Sequence, residues 1–126
     1  MLRTRGIARG LQGGAEAGGR GEGIHHGFSV RPRLVARNYR TPGRGGGEVD
    51  LILRERDGTL VFVEVRRRGS ASHGGAAASI TATKRRRVVF AARHYLMRLA
   101  SPPPCRFDVV LVEERITWLR AAFNAD

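Results

Sequence analysis

The stretch Gly47-Glu48-Val49-Asp50-Leu51-Ile52-Leu53-Arg54-Glu55-Arg56-Asp57-Gly58-Thr59-Leu60-Val61-Phe62-Val63-Glu64-Val65-Arg66 decides how this chain folds. Asp57-Gly58 is a hairpin signal, because a tight β-turn needs positive φ and glycine adopts it without steric cost. β-Formers flank it on both sides, which predicts strands over Glu48–Arg54 and Leu60–Arg67. In the second strand, alternation puts Val61, Val63 and Val65 on one face and Phe62, Glu64 and Arg66 on the other. The same period turns Glu48 and Asp50 to a common face. Once the hairpin pairs the strands, two or three acids and one cation can converge on one side of the sheet.

Acids at strand positions are disfavoured unless something offsets their desolvation. A divalent cation does so, and Mg²⁺ is typically held by one or two carboxylates together with water and phosphate oxygens. A plainer reading stands beside this one: Glu48 as a solvated edge residue, and Glu64 with Arg66 as a surface cross-strand ladder. The setting of Glu64 inside Leu60-Val61-Phe62-Val63-Glu64-Val65 favours a functional pair, since that run reads as a central, buried strand.

Outward from the hairpin, Leu34–Asn38 is predicted as a short strand, followed by the turn-rich Thr41-Pro42-Gly43-Arg44-Gly45-Gly46-Gly47. Residues Gly69–Ala78 are small and read as a loop. A helix is predicted from Ser79 or Thr81 to Leu99, with hydroxyl residues for the N-cap and Val88, Ala92, Tyr95, Leu96 and Leu99 as its core stripe. Ser101-Pro102-Pro103-Pro104 stops it. Arg106–Val112 is an apolar strand, and Ile116–Leu119 its hairpin partner across Glu113-Glu114-Arg115. The predicted order is (α)-β-β-β-α-β-β, an α/β fold with a mixed sheet, since a helix between the third and fourth strands permits a parallel crossover. Residues 1–30 form a Gly-rich segment, a loop or degenerate helix, and 31–126 a single domain.

The formal net charge is +12, and polyanions are the natural partners of such a surface. Lys84 is the only lysine among 23 basic residues, which suggests codon bias toward Arg; that bias explains the choice of Arg better than the excess of positive charge. Cys105 is the only cysteine, so disulfide scaffolds and zinc clusters of cysteine are excluded and a reducing compartment is expected. No apolar run approaches the roughly 18 residues of a membrane span, and the basic N-terminus lacks the apolar core of a secretory signal. A cytoplasmic protein that contacts no membrane is the expectation.

Taken together, Glu-x-Asp, a hairpin and Glu-x-Arg resemble the PD-(D/E)XK nuclease superfamily, including archaeal Holliday-junction resolvases. The chain is most similar to the YraN-like family of bacterial endonuclease-like proteins. Leu34–Arg40, Gly47–Ile52 and Leu60–Arg66 carry the resemblance, extended by Lys84, Arg87, Ala92, Tyr95-Leu96 and Arg106–Val110. It implies a restriction-endonuclease-like mixed sheet flanked by helices. It further implies Asp50 and Glu64 as ligands of Mg²⁺ or Mn²⁺, with Glu48 assisting through water or orienting Arg37. Arg66 occupies the usual lysine position. Because Arg keeps its proton at working pH, it can stabilise phosphate charge but not act as a base. Lys84 reads first as a solvated residue in the helix's first turn, although in related folds the lysine can sit on a neighbouring helix and reach the site. The family's opening helix brings an acid to the site, for which Glu16 and Glu22 are the candidates here.

Arg37, Arg40, Arg44, Lys84, Arg85 and Arg87 are the candidate nucleic-acid contacts. His25, His26, His73 and His94 lack metal-ligand spacing, while Tyr39 and Trp118 read as packing residues. These readings imply a metal-dependent nuclease acting on DNA in repair or recombination, with homodimers common in related folds. The alternatives are a catalytically inactive nucleic-acid-binding module of the same fold, or an adaptor whose basic face meets a protein.

Overall fold

In the computed structural model, which describes residues 31–67 and 80–125, the Asp57-Gly58 turn closes as the sequence predicts. The Gly58 amide donates to the Glu55 carbonyl at 2.9 Å, the Thr59 amide donates to Asp57 Oδ1 at 2.9 Å, and Gly58 takes φ +97°. The turn joins β2 (Glu48–Arg54) to β3 (Leu60–Arg67), antiparallel, with Leu51 opposite Val63 and Arg54 opposite Leu60. β1 (Arg33–Arg40) flanks β2, antiparallel, and β4 (Cys105–Val112) lies parallel to β3. β5 (Ile116–Phe123) closes the far edge, antiparallel to β4. The sheet is therefore mixed, in the order β1-β2-β3-β4-β5, with β3 at its centre.

Helix α1 (Ala82–Leu96) links β3 to β4, which is what a parallel neighbour requires. It begins at the predicted cap: Thr81 Oγ1 accepts from the Lys84 amide at 3.0 Å. It ends three residues short of the predicted Leu99. There the amides of Met97, Arg98 and Leu99 bond back in turns before Ser101 and the prolines. β5 runs four residues beyond the predicted Leu119, crossing an irregularity where Ala121 takes φ +52°.

One face of the sheet packs against α1. Val49, Ile52, Leu60, Phe62 and Phe107 meet Val88, Val89, Ala91 and Ala92 there, with Tyr95, Leu96 and Leu99 closing the edge. Phe62 is fully buried at the centre, a position contributing about 1.5–3 kcal/mol of transfer energy. The other face buries Leu51, Leu53, Val61, Val63, Val65 and Val110, with Trp118 packed beside them. The predicted alternation along β3 is thus observed. Near β5 the sheet holds a polar knot. The fully buried Asp108 accepts from Arg106 Nε (3.0 Å), Trp118 Nε1 (2.8 Å) and the Ala121 amide (2.8 Å), and Arg106 also pairs with Glu55 at 3.1 Å. A buried carboxylate persists here because its lone pairs are used. Among the described residues no helix is long and apolar enough to cross a membrane.

Candidate functional site

The acids lie where the β2–β3 ladder stops. Pairing runs from Arg54 opposite Leu60 to Leu51 opposite Val63; one step further would set Asp50 opposite Glu64. The strands part instead. Val65 donates its amide to Asp50 Oδ2 at 2.7 Å, so a side chain takes over from the missing backbone acceptor. Meanwhile β2 stays paired to β1 through Val49 and Glu48, and β3 stays paired to β4 through Arg67. Asn38, level with Asp50 on β1, takes φ +52°, a left-handed conformation that Asn tolerates better than most residues. The result is a wedge between two strands, with Asp50 at its apex.

Glu64 shares the α1 side of β3 with Phe62, and its side chain is 3% exposed. Lys84, the third residue of α1, brings Nζ to 3.3 Å from Glu64 Oε2. The expectation of a solvated first-turn lysine is thereby corrected: the Thr81 cap starts the helix over the wedge, so its first turn points the ammonium at the buried carboxylate. Burial pushes the Glu64 carboxyl up to about 7, aided by the negative charge of Asp50 and opposed by Lys84 and Arg66. Asp50, Glu64, Arg66 and Lys84 therefore act electrostatically on one locus. Arg66 Nε is buried with no hydrogen-bond partner among the described residues.

Glu48 lies on the same strand but meets different partners. Its Oε1 is 3.3 Å from Arg87 Nη2 and 3.8 Å from Arg40 Nε, rather than beside the Arg37 that the sequence suggested. Among the described residues no three His, Cys, Asp or Glu side chains gather to hold a metal. Two carboxylates do share the wedge, and their mutual repulsion, which helps raise Glu64, is what a hard divalent cation would relieve. An all-oxygen pair of carboxylates suits Mg²⁺ or Mn²⁺ better than zinc. Asp50 and Glu64 are the residues that would hold it.

The remaining candidates distribute around this locus. Arg37 and Arg44 are exposed, on β1 and on the β1–β2 loop. Arg85 Nη1 donates to the Ile80 carbonyl at 3.2 Å, at the start of α1. Tyr39 packs edge-on against Tyr95 and hydrogen-bonds His94 Nδ1 at 2.8 Å, and Trp118 is held by Asp108; Tyr39 and Trp118 are packing residues, as the sequence suggested. Glu16, Glu22, His25, His26 and His73, together with the Gly69–Ala78 loop, lie outside the described residues. Sequence reasoning passed over a cleft of about 630 Å³ between the β1–β2 loop and α1, lined by Arg40, Glu48, Arg86, Arg87 and Phe90. A signal was there: Phe90 falls off the apolar stripe of its helix, and it is 52% exposed.

Residues 29–112 match the Uncharacterised protein family UPF0102. Among similar proteins is a UPF0102 protein of Paracidovorax citrulli (strain AAC00-1), 74% identical over 94 residues, covering 74% of this chain and 70% of that protein. A UPF0102 protein of Albidiferax ferrireducens is 73% identical over 94 residues, covering 74% and 73%. One from Acidovorax sp. (strain JS42) is 60% identical over 93 residues, covering 73% and 70%.

Proposed function

The chain belongs to the uncharacterised protein family UPF0102, and from that premise we propose that it is a restriction-endonuclease-like, divalent-metal-dependent nuclease acting on DNA. The observation that carries this reading is the wedge: Asp50 at its apex, Glu64 buried across from it, and Lys84 Nζ 3.3 Å from Glu64. Asp50 and Glu64 would hold Mg²⁺ or Mn²⁺. When bound, such an ion supplies Lewis acidity toward a phosphate oxygen and a water. Asp50 is held in place by the Val65 amide, so its carboxylate is oriented before any ligand arrives. Lys84 provides the exchangeable ammonium proton that a guanidinium at position 66 does not, and can orient an attacking water beside Glu64. Arg66 contributes fixed positive charge toward a phosphate in the transition state. Exposed Arg37, Arg40 and Arg44 can neutralise backbone phosphates on approach.

The test is cleavage of linear, flapped and four-way DNA with Mg²⁺ or Mn²⁺, comparing wild type with Asp50→Ala and Glu64→Ala. Each substitution should remove cleavage by at least about 100-fold, because the metal site loses half its protein ligands. Affinity for DNA in EDTA should hold or rise, since negative charge is removed. Cleavage that survives both substitutions overturns the assignment. A non-catalytic module of the same fold is favoured by one feature, Arg66 at the lysine position; Lys84 beside Glu64 argues against it. Metal-independent DNA binding with no turnover on any substrate would select that second reading.

A further inference from the structure

We infer that the cleft between the β1–β2 loop and α1 receives a single-stranded stretch of nucleic acid, with one base stacked on Phe90 and its phosphates on Arg40 and Arg86. The inference rests on the nucleic-acid reading above and adds the substrate class. Its first support is charge. Three guanidinium groups face one carboxylate: Glu48 sits 3.3 Å from Arg87 and 3.8 Å from Arg40, and among the described residues Arg86 bonds only the Thr83 hydroxyl, at 3.3 Å. The lining keeps a net positive charge that an anion can use.

The second support is the floor. Gly43 and Gly45 take φ +93° and +70°, and a Cβ at either would meet nothing within 4 Å, so the loop offers bare backbone to a flat ligand. That floor is fixed. Thr41 bonds across the loop to Gly47 through its amide (3.0 Å) and its Oγ1 (2.7 Å). Gly47 presses on α1 so closely that a Cβ there would come within 2.4 Å of the Arg87 carbonyl.

The third support is Phe90. A lone exposed aromatic is ordinary on a protein surface. Here it shares a basic cleft of about 630 Å³, within the roughly 300–1,000 Å³ of sites that enclose a small ligand. Arginines beside an accessible ring are the elements of a stacking platform for unpaired bases. A duplex hides its base faces and cannot use the ring. Glu48 lines this cleft and lies two residues from Asp50, so a strand seated on Phe90 continues toward the acid pair. The site therefore fits DNA or RNA with an unpaired segment next to the bond to be cut.

Binding is measured by fluorescence anisotropy on the full chain in EDTA. The probes are a labelled single-stranded oligodeoxyribonucleotide, the oligoribonucleotide of the same sequence, and the blunt DNA duplex of equal length. Wild type should prefer a single strand of either sugar. Phe90→Ala should weaken single-strand affinity by about 5- to 150-fold, the value of one stacked base, and leave duplex affinity within about twofold. Phe90→Trp should restore it, and Arg86→Glu should weaken it by at least about tenfold. Duplex preference in wild type overturns the inference, as does unchanged single-strand affinity in Phe90→Ala. Because no metal is present and no turnover is read, loss of the nuclease assignment leaves this result standing, and the reverse holds.

Discussion

Replacing Glu64 by Gln should remove a stability penalty of about 3 kcal/mol that the metal-free protein carries above neutral pH. The Glu64 side chain is 3% exposed, and burial, then the charge of Asp50, lifts its carboxyl from 4.5 to about 7. Between those values the folded protein keeps a proton that the unfolded chain has released. Stability therefore falls as pH rises through that window. Below 4.5 the carboxyl is protonated in both states and contributes nothing; above about 7 both states are ionised and the full penalty stands. Urea unfolding followed by the fluorescence of Trp118, the single tryptophan, at a series of pH values in EDTA reads the effect. Wild type should lose stability across the window relative to Glu64→Gln, and the difference between the two curves reads Glu64 together with the Asp50 charge it interacts with. Adding Mn²⁺ at high pH should narrow the gap, since a bound cation favours the ionised carboxylate. Parallel pH profiles for the two proteins would refute the reasoning.

Lys84→Ala should push the Glu64 transition to higher pH in the same titration, because the ammonium is one of the two charges holding it down. Asp108→Ala should cost about 3–5 kcal/mol in urea unfolding, since it removes the buried carboxylate to which Arg106, the Trp118 indole and the Ala121 amide all donate, leaving Arg106 its pair with Glu55. Gly47→Ala should cost about 2 kcal/mol or more, with the new methyl driven into the Arg87 carbonyl and the Ala91 amide. Gly43→Ala should cost only about 1 kcal/mol, the backbone strain of positive φ in open space.

The strands around the hairpin were legible because local chemistry and global fold agree there: Asp57-Gly58 dictates the turn, and the β-branched run of β3 has one way to be buried. The core stripe of α1 and its Thr81 cap followed from periodicity in the same way. Element ends were less visible. Nothing in Met97-Arg98-Leu99 opposes a helix, and only the packing of Leu99 against the core shows how the chain leaves it. The acid pair was readable as a pair, but the wedge was not, because a ladder that breaks at Asp50 is set by β1 and β4 pulling on different strands. Lys84 and the Phe90 cleft depend on how far α1 lies along the sheet, which spacing along the chain does not encode.

Under the proposed nuclease reading, the wedge also gives a route by which the lysine can leave its strand. A side chain at position 66 lies two residues from Glu64 on the same face of β3, and one from the first turn of α1 descends on that carboxylate from above. In this structure the second route is the one taken: Lys84 Nζ lies 3.3 Å from Glu64 Oε2, while Arg66 Nε has no hydrogen-bond partner among the described residues. Under that reading, Lys84 at 3.3 Å would take over proton transfer and leave Arg66 with charge alone. A chain selected only for stability would replace a 3%-exposed carboxylate and its cations with apolar side chains, because a buried ion pair seldom outperforms them. This chain keeps two acids, two cations and a broken ladder at the centre of its sheet, and the proposed nuclease, with an anionic substrate held by a cation, would use all of them.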